Sequence, residues 1–177
     1  MSPVRNYKEP RVSNGVRILV LSDTHIPRVA HDLPERVYGE IENVDMIIHA
    51  GDFVEMEVLD KLKTLRETHA VYGNMDSQGI RQHLNPREII PVGRFKIGLI
   101  HGFGAPAEIV ETVRGEFTDS SVDAIIFGHS HAAFNMVKEG ILLFNPGSPT
   151  DTIFATSNSY GILEVTDKKI EGKIVKL

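Results

Sequence analysis

Ala124-Ile125-Ile126-Phe127-Gly128-His129-Ser130-His131 is the stretch that decides how the chain reads. Four apolar residues run without a polar break, as in a strand covered on both faces, the usual state of strands in parallel or mixed α/β sheets. Gly128 ends the run and lets the backbone turn with no side chain in the way. His129 and His131 then stand where such sheets gather their ligands, beyond the carboxyl ends of the strands. Two histidines alone are commonly structural, so the reading turns on whether other strands end in matching groups.

Four more do. Val16 to Leu21 ends in Ser22-Asp23-Thr24-His25, Asp45 to Ala50 in Gly51-Asp52, His69 to Tyr72 in Gly73-Asn74-Met75-Asp76, and Phe95 to Ile100 in His101-Gly102. The successive steps from Asp23 to Asp52, Asn74, His101 and His129 are 29, 22, 27 and 28 residues, each the length of a strand with its return connection. Helices returning to the start of a sheet would bring all five ends to one rim. Helical spacing over Pro34 to Asn43, Glu55 to Thr68 and Pro106 to Phe117 supplies such connections. Arg87 to Val92 with Phe95 to Ile100, Phe134 to Val137 with Ile141 to Phe144, and Tyr160 to Val165 with Lys169 to Val175 read as hairpins. The expected fold is α/β, two packed mixed β-sheets forming a β-sandwich flanked by helices.

A chain of 177 residues is long enough to bury one core and short for two domains, so a single domain over 15–177 is expected, preceded by a flexible tail over 1–14. The net charge of −5 offers no basic face for tight, sequence-independent nucleic-acid binding. With no cysteine there is no disulfide framework, no thiolate metal site and no cysteine nucleophile. Neither a signal-peptide core nor an apolar run long enough to span a bilayer is present, which points to a cytoplasmic protein without a membrane partner. The oligomeric state has no signature in the sequence.

The strand ends bring together Asp23, His25, Asp52, Asn74, His101, His129 and His131, which are two carboxylates, one carboxamide and four imidazoles. Such a set suits Mn, Fe, Zn, Ni or Co, and it is too large for one tetrahedral ion, so two ions sharing a ligand are expected. Two divalent ions outweigh Asp23, Asp52 and a shared hydroxide, leaving a cationic centre that attracts phosphate. Alone, Asp23 or Asp52 would read as a turn or helix cap. His49, on an apolar strand, reads as a hydrogen-bonded core histidine, and His31, His69 and His83 read as surface residues.

In this order the five motifs resemble those of the calcineurin-like metallophosphoesterases. The likeness runs from about Val16 to the end, and the short chain with Asn145-Pro146-Gly147-Ser148 after a hairpin resembles the short prokaryotic phosphodiesterase branch. The resemblance implies one ion held by Asp23, His25 and His131, a second by Asn74, His101 and His129, and Asp52 between the two, with Asp52 and Asn74 as catalytic positions. It implies two divalent ions per chain, manganese foremost, and hydrolysis of a small phosphodiester by a hydroxide the ions share. A phosphomonoesterase, or a non-catalytic scaffold such as the retromer coat subunit of the same superfamily, is the alternative. Where many members carry a histidine after Gly-Asn to protonate the leaving group, this chain has Met75, which leaves the general acid unassigned; Asp76 and His25 are the nearest titratable groups.

Overall fold

The computed structural model describes residues 15–177, and the tail expected over 1–14 lies outside the described residues. Val16–Leu21 (β1), Glu35–Ile41 (α1), Met46–His49 (β2), Met56–Leu65 (α2) and Glu67–Ala70 (β3) form two consecutive crossovers with all three strands parallel. Ser159–Val165 (β9) and Ile170–Lys176 (β10) form the closing hairpin, in which β9 pairs antiparallel with β1 and β10 with β9, giving a five-stranded sheet in the order β10-β9-β1-β2-β3. Between them, Gln78–His83 (α3), Arg87–Val92 (β4), Phe95–Ile100 (β5), Ile109–Gly115 (α4), Ala124–Ile126 (β6), Phe134–Lys138 (β7) and Ile141–Asn145 (β8) supply the second sheet, ordered β4-β5-β6-β8-β7. The two mixed sheets with helices outside them are the architecture the apolar runs called for.

Side-chain alternation explains why those runs have no polar member. Ile18, Val20, Ile48, Ile97, Leu99, Ile126 and Phe144 point between the sheets. Their neighbours Leu19, Leu21 and Ile47 face Val37 and Ile41 of α1 and Leu59 and Leu62 of α2, while Ile125, Phe127 and Leu143 face Ile109 and Val113 of α4. Both faces of each central strand are therefore buried, so period-two polarity has no place.

Three expectations shift. Strand β3 begins at Glu67 instead of His69, because its register is set by parallel pairing of Glu67 to Ala70 with Met46 to His49, after which Tyr72 N–H donates to Asn85 O at 3.2 Å. Helix α3 was not anticipated: six residues with Ile80 as their one buried member carry too little periodicity to register. His83 closes that helix with its ring on Gly79 O at 2.7 Å. His69 is not a free surface residue, since its ring meets Glu88 of β4 at 2.8 Å and joins one sheet to the other.

Candidate metal centre

All five strand-end loops meet at one place. The loop after β1 is stitched to the loop after β2 by Asp23 N–H donating to Gly51 O and His25 N–H to Asp52 O, both at 3.0 Å. Gly128 N–H donates to His101 O at 3.0 Å within the second sheet's loops. Two bonds then join the sheets: His129 N–H to Asp23 Oδ2 at 3.1 Å and His101 Nδ1–H to Ala50 O at 2.7 Å.

Such crowding explains the glycines. A Cβ on Gly73 would collide with the Asp52 carboxylate, and one on Gly128 with Ser22 Oγ and Asp23 Oδ2. The backbone at Gly128 is not left-handed, so close approach, rather than the freedom to turn, is what excludes a side chain there. Backbone strain is concentrated at the same place. Asp23, His25, Asp52, His129 and His131 all have positive φ, between 45° and 67°, in a region that non-glycine residues seldom adopt. Conformations of this kind cost on the order of 1–3 kcal/mol each and persist where function holds them.

The side chains form two acceptor-rich clusters with carboxylates between them. Asp23 is fully buried, and its Oδ1 has no hydrogen-bond partner. That oxygen lies 3.3 Å from His131 Nε2, 3.9 Å from His25 Nε2 and 4.0 Å from His101 Nε2. The Nε2 atoms of His25 and His131 face each other at 3.2 Å. On the other side, Asn74 Oδ1 lies 3.2 Å from His101 Nε2 and 3.0 Å from His129 Nδ1. Asp52 Oδ2 stands between the clusters, 3.8 Å from His25 Nε2 and 3.4 Å from His101 Nε2. Asp23, His25 and His131 offer converging donor atoms for one cation, and Asp23 joins Asp52 and His101 in a second such group.

The outer ring nitrogens are already committed, which decides what the inner ones present. His101 Nδ1–H is held by Ala50 O, His131 Nδ1–H by Asp151 Oδ2 at 2.6 Å, and His129 Nε2–H by Gly104 O at 3.0 Å. Each inner nitrogen therefore turns a lone pair toward an oxygen or toward another imidazole, and such a contact needs a cation or a proton in it. Burial pulls His101 down, but Asp52 and Asp23 outweigh it and push it up to about 9. His131 behaves alike: against burial, Asp23 and Asp151 push it up to about 9. Burial acts to raise both Asp23 and Asp52, yet the surrounding imidazoles hold each below its ordinary value, while burial lowers His25. The donor set thus fits divalent cations.

Several supporting residues gave little sequence signal. Asp76 accepts the backbone N–H groups of Asp52 at 3.0 Å, Val54 at 2.8 Å and Gly73 at 2.7 Å, so both its oxygens face backbone and it clips the loops after β2 and β3 together. Arg81 of α3 reaches back to the carbonyls of Gly73, Asn74 and Asp76. Asn145 donates to Gly128 O at 2.8 Å and accepts Gly147 N–H at 2.9 Å, and Ser148 Oγ donates to Asp23 O at 2.8 Å. The Asn145-Pro146-Gly147-Ser148 turn is in this way a clamp on the loops that carry Asp23 and His129. Asp151 lies three residues beyond it, and nothing in the sequence separates it from other loop aspartates. His49 is the buried core histidine expected, with Nδ1 accepting Gly51 N–H at 3.1 Å and Nε2–H facing Thr24 Oγ1 at 3.2 Å. Met75 lines a cavity of about 420 Å³ shared with His25, Asp52, Asn74, His129 and His131.

The profile of the calcineurin-like phosphoesterase superfamily domain matches residues 16–168. A probable metallophosphoesterase of Methanothermobacter thermautotrophicus is 36% identical over 159 residues, 89% of this chain and 90% of its own length. Another from Methanocaldococcus jannaschii is 41% identical over 134 residues, which cover 74% of this chain and 67% of that relative. Among solved structures, wild-type Vps29 of Entamoeba histolytica complexed with zinc superposes with a TM-score of 0.67 at 26% identity, covering 90% of this chain and 98% of that one.

Proposed function

The chain belongs to the calcineurin-like phosphoesterase superfamily, and on that premise we propose that it hydrolyses phosphodiester bonds with the help of two divalent ions, manganese foremost. The observation that carries this reading is the buried, unpartnered Asp23 Oδ1 with three imidazole nitrogens turned toward it. Asp23, His25 and His131 would hold one ion and Asn74, His101 and His129 the other, with Asp52 between them. Ions so held supply Lewis acidity toward a phosphoryl oxygen and bring the pKa of water to about 7.

The chain's own groups do the rest. Asp52 is fixed by Met75 N–H on Oδ1 at 2.7 Å, which leaves Oδ2 free to face both clusters. Arg28 is, among the described residues, the one guanidinium or ammonium lining the cavity, enough for a diester monoanion and little for a monoester dianion. Met75 cannot donate a proton, and Asp76 is turned into the backbone, so the departing oxygen receives no proton from either. No described helix is long and apolar enough to cross a membrane.

The test is hydrolysis of a chromogenic phosphodiester by chelator-treated protein, with and without added manganese. Metal-dependent turnover, with kcat/KM for a diester above that of the matched monoester, is the expected result. A second reading, a non-catalytic interaction module, draws on the likeness to Vps29. Full metal content without turnover of any diester or monoester would favour it over the enzyme.

A further inference from the structure

Two large apolar side chains are held in water beside the candidate centre. Ile153 and Phe154 are each 76% exposed. Nothing in the core requires them there, and single exposed apolar residues call for no account, but a cluster at a cavity mouth does. Val29 and Met75, each 40% exposed, line the same cavity.

The loop that carries the pair is not slack. Asp151 accepts Ile153 N–H at 2.8 Å on Oδ1, and Phe154 N–H at 3.0 Å and Ala155 N–H at 2.8 Å on Oδ2. The same Oδ2 accepts His131 Nδ1–H. One carboxylate thus orients a candidate ligand and fixes the backbone that presents the two apolar side chains. The Phe154 ring meets the His131 imidazole edge-on, with centroids 5.8 Å apart. A group packed on that ring inside the cavity would therefore lie close to His131, a proposed ligand.

We propose that Ile153 and Phe154 form an apolar platform for a flat aromatic substituent, aryl or nucleobase, of the phosphodiester that occupies the cavity. The proposal deepens the phosphodiesterase reading and rests on it. A cavity of about 420 Å³ is within the roughly 300–1,000 Å³ of small-molecule sites. Its charge pattern matches such a ligand, with Arg28 and the metal-ligand cluster suited to the anionic phosphoryl group and an uncharged apolar wall beside them. Aromatic rings pack on one another beyond what area alone gives, and a contact of this kind is worth about two- to tenfold in affinity on top of the apolar area it buries.

The experiment uses the manganese-loaded full chain and two uncleavable phosphodiester mimics, diphenylphosphinate and dimethylphosphinate, titrated calorimetrically. The wild type should bind the diphenyl compound at least about tenfold more tightly, and Phe154→Ala and Ile153→Ser should each shrink that ratio, the double variant bringing it near unity. Val137→Ala, on the edge strand β7 and 65% exposed, should leave the ratio where it was. Both substituted side chains are largely in solvent, so loss of folding does not confuse the result. Equal binding of the two phosphinates by the wild type, or a preference that survives the double substitution, overturns the platform. Turnover of bis(4-nitrophenyl) phosphate is measured alongside: its absence overturns the phosphodiesterase reading, and the titration then decides the platform by itself.

Discussion

Asp52 illustrates how tightly a single residue is specified at this centre. Its φ is 60°, its Oδ1 accepts Met75 N–H, its own N–H is taken by Asp76, and its Oδ2 is left facing His25 and His101. Because both clusters depend on Oδ2, Asp52→Ala should cost more activity than alanine at any other of the seven proposed ligands. Elemental analysis should find two ions in fully loaded wild type, and one or fewer in an active sample would overturn the two-ion proposal. Met75 tests the chemistry from the other side. A nitrophenolate is a weak base and leaves with metal assistance alone, whereas an alkoxide needs a proton in the transition state, a service worth about 10²–10⁴-fold. Met75→His should therefore speed diesters with basic leaving groups toward that range and leave nitrophenyl esters nearly unchanged. Parallel leaving-group plots for the two proteins would mean that position 75 does not face the departing oxygen. The seven proposed ligands were legible because each follows an apolar run at a repeating interval. Asp76 and Asp151 were not, since an aspartate that binds backbone N–H groups looks in sequence like any turn aspartate.

At the scale of elements, the candidate centre is made by loops that clamp one another, and the clamp can be tested where it touches the proposed ligand His131. Asp151 is held at about 2, since His131 and three backbone N–H groups outweigh the burial that acts to raise it. It is thus a fixed anion on the outer nitrogen of His131. Asp151→Asn keeps the size of the side chain but replaces that anion with a neutral amide whose nitrogen cannot accept an N–H, so the imidazole is set less firmly with Nε2 inward and part of the loop's anchoring goes with it. Partners of this kind are worth about 10–100-fold in metal affinity. Manganese titration should show a loss in that range, with a lowered melting temperature of the metal-free protein from the loop bonds given up; unchanged affinity would mean that Asp151 serves the loop alone. The central strands and three of the helices could be read from their apolar patterns because each buries a full face. Helix α3 could not, although through Arg81 it holds the Asn74 loop, because what defines it is polar contact with backbone carbonyls and no hydrophobic pattern records that.

At the scale of the whole molecule, neither sheet contains the centre. β1, β2 and β3 lead to Asp23, His25, Asp52 and Asn74, and β5 and β6 lead to His101, His129 and His131, so the proposed ligands converge only while the two sheets stay in register. Most of that register comes from the apolar layer between the sheets, but one edge is tied by charge. His69 of β3 meets Glu88 of β4 at 2.8 Å and Glu67 at 3.4 Å. Glu88, and Glu67 after it, favour the imidazolium against the opposing effect of burial, so the His69 pKa is raised above its ordinary 6.5. A histidine whose pKa is higher folded than unfolded binds its proton more tightly in the native state, so its contribution is complete below about 6.5 and disappears as pH climbs through the raised value. His69→Gln, which keeps a hydrogen-bonding group of similar reach without the charge, removes this term. The gap in melting temperature between wild type and His69→Gln, measured on metal-free protein so that metal binding does not contribute, should therefore be widest near pH 6 and close steadily on the alkaline side. A gap that stays constant from pH 6 to pH 9 would mean that His69 ties the sheets as a neutral hydrogen-bonding group and that the seam carries no charge-dependent stability.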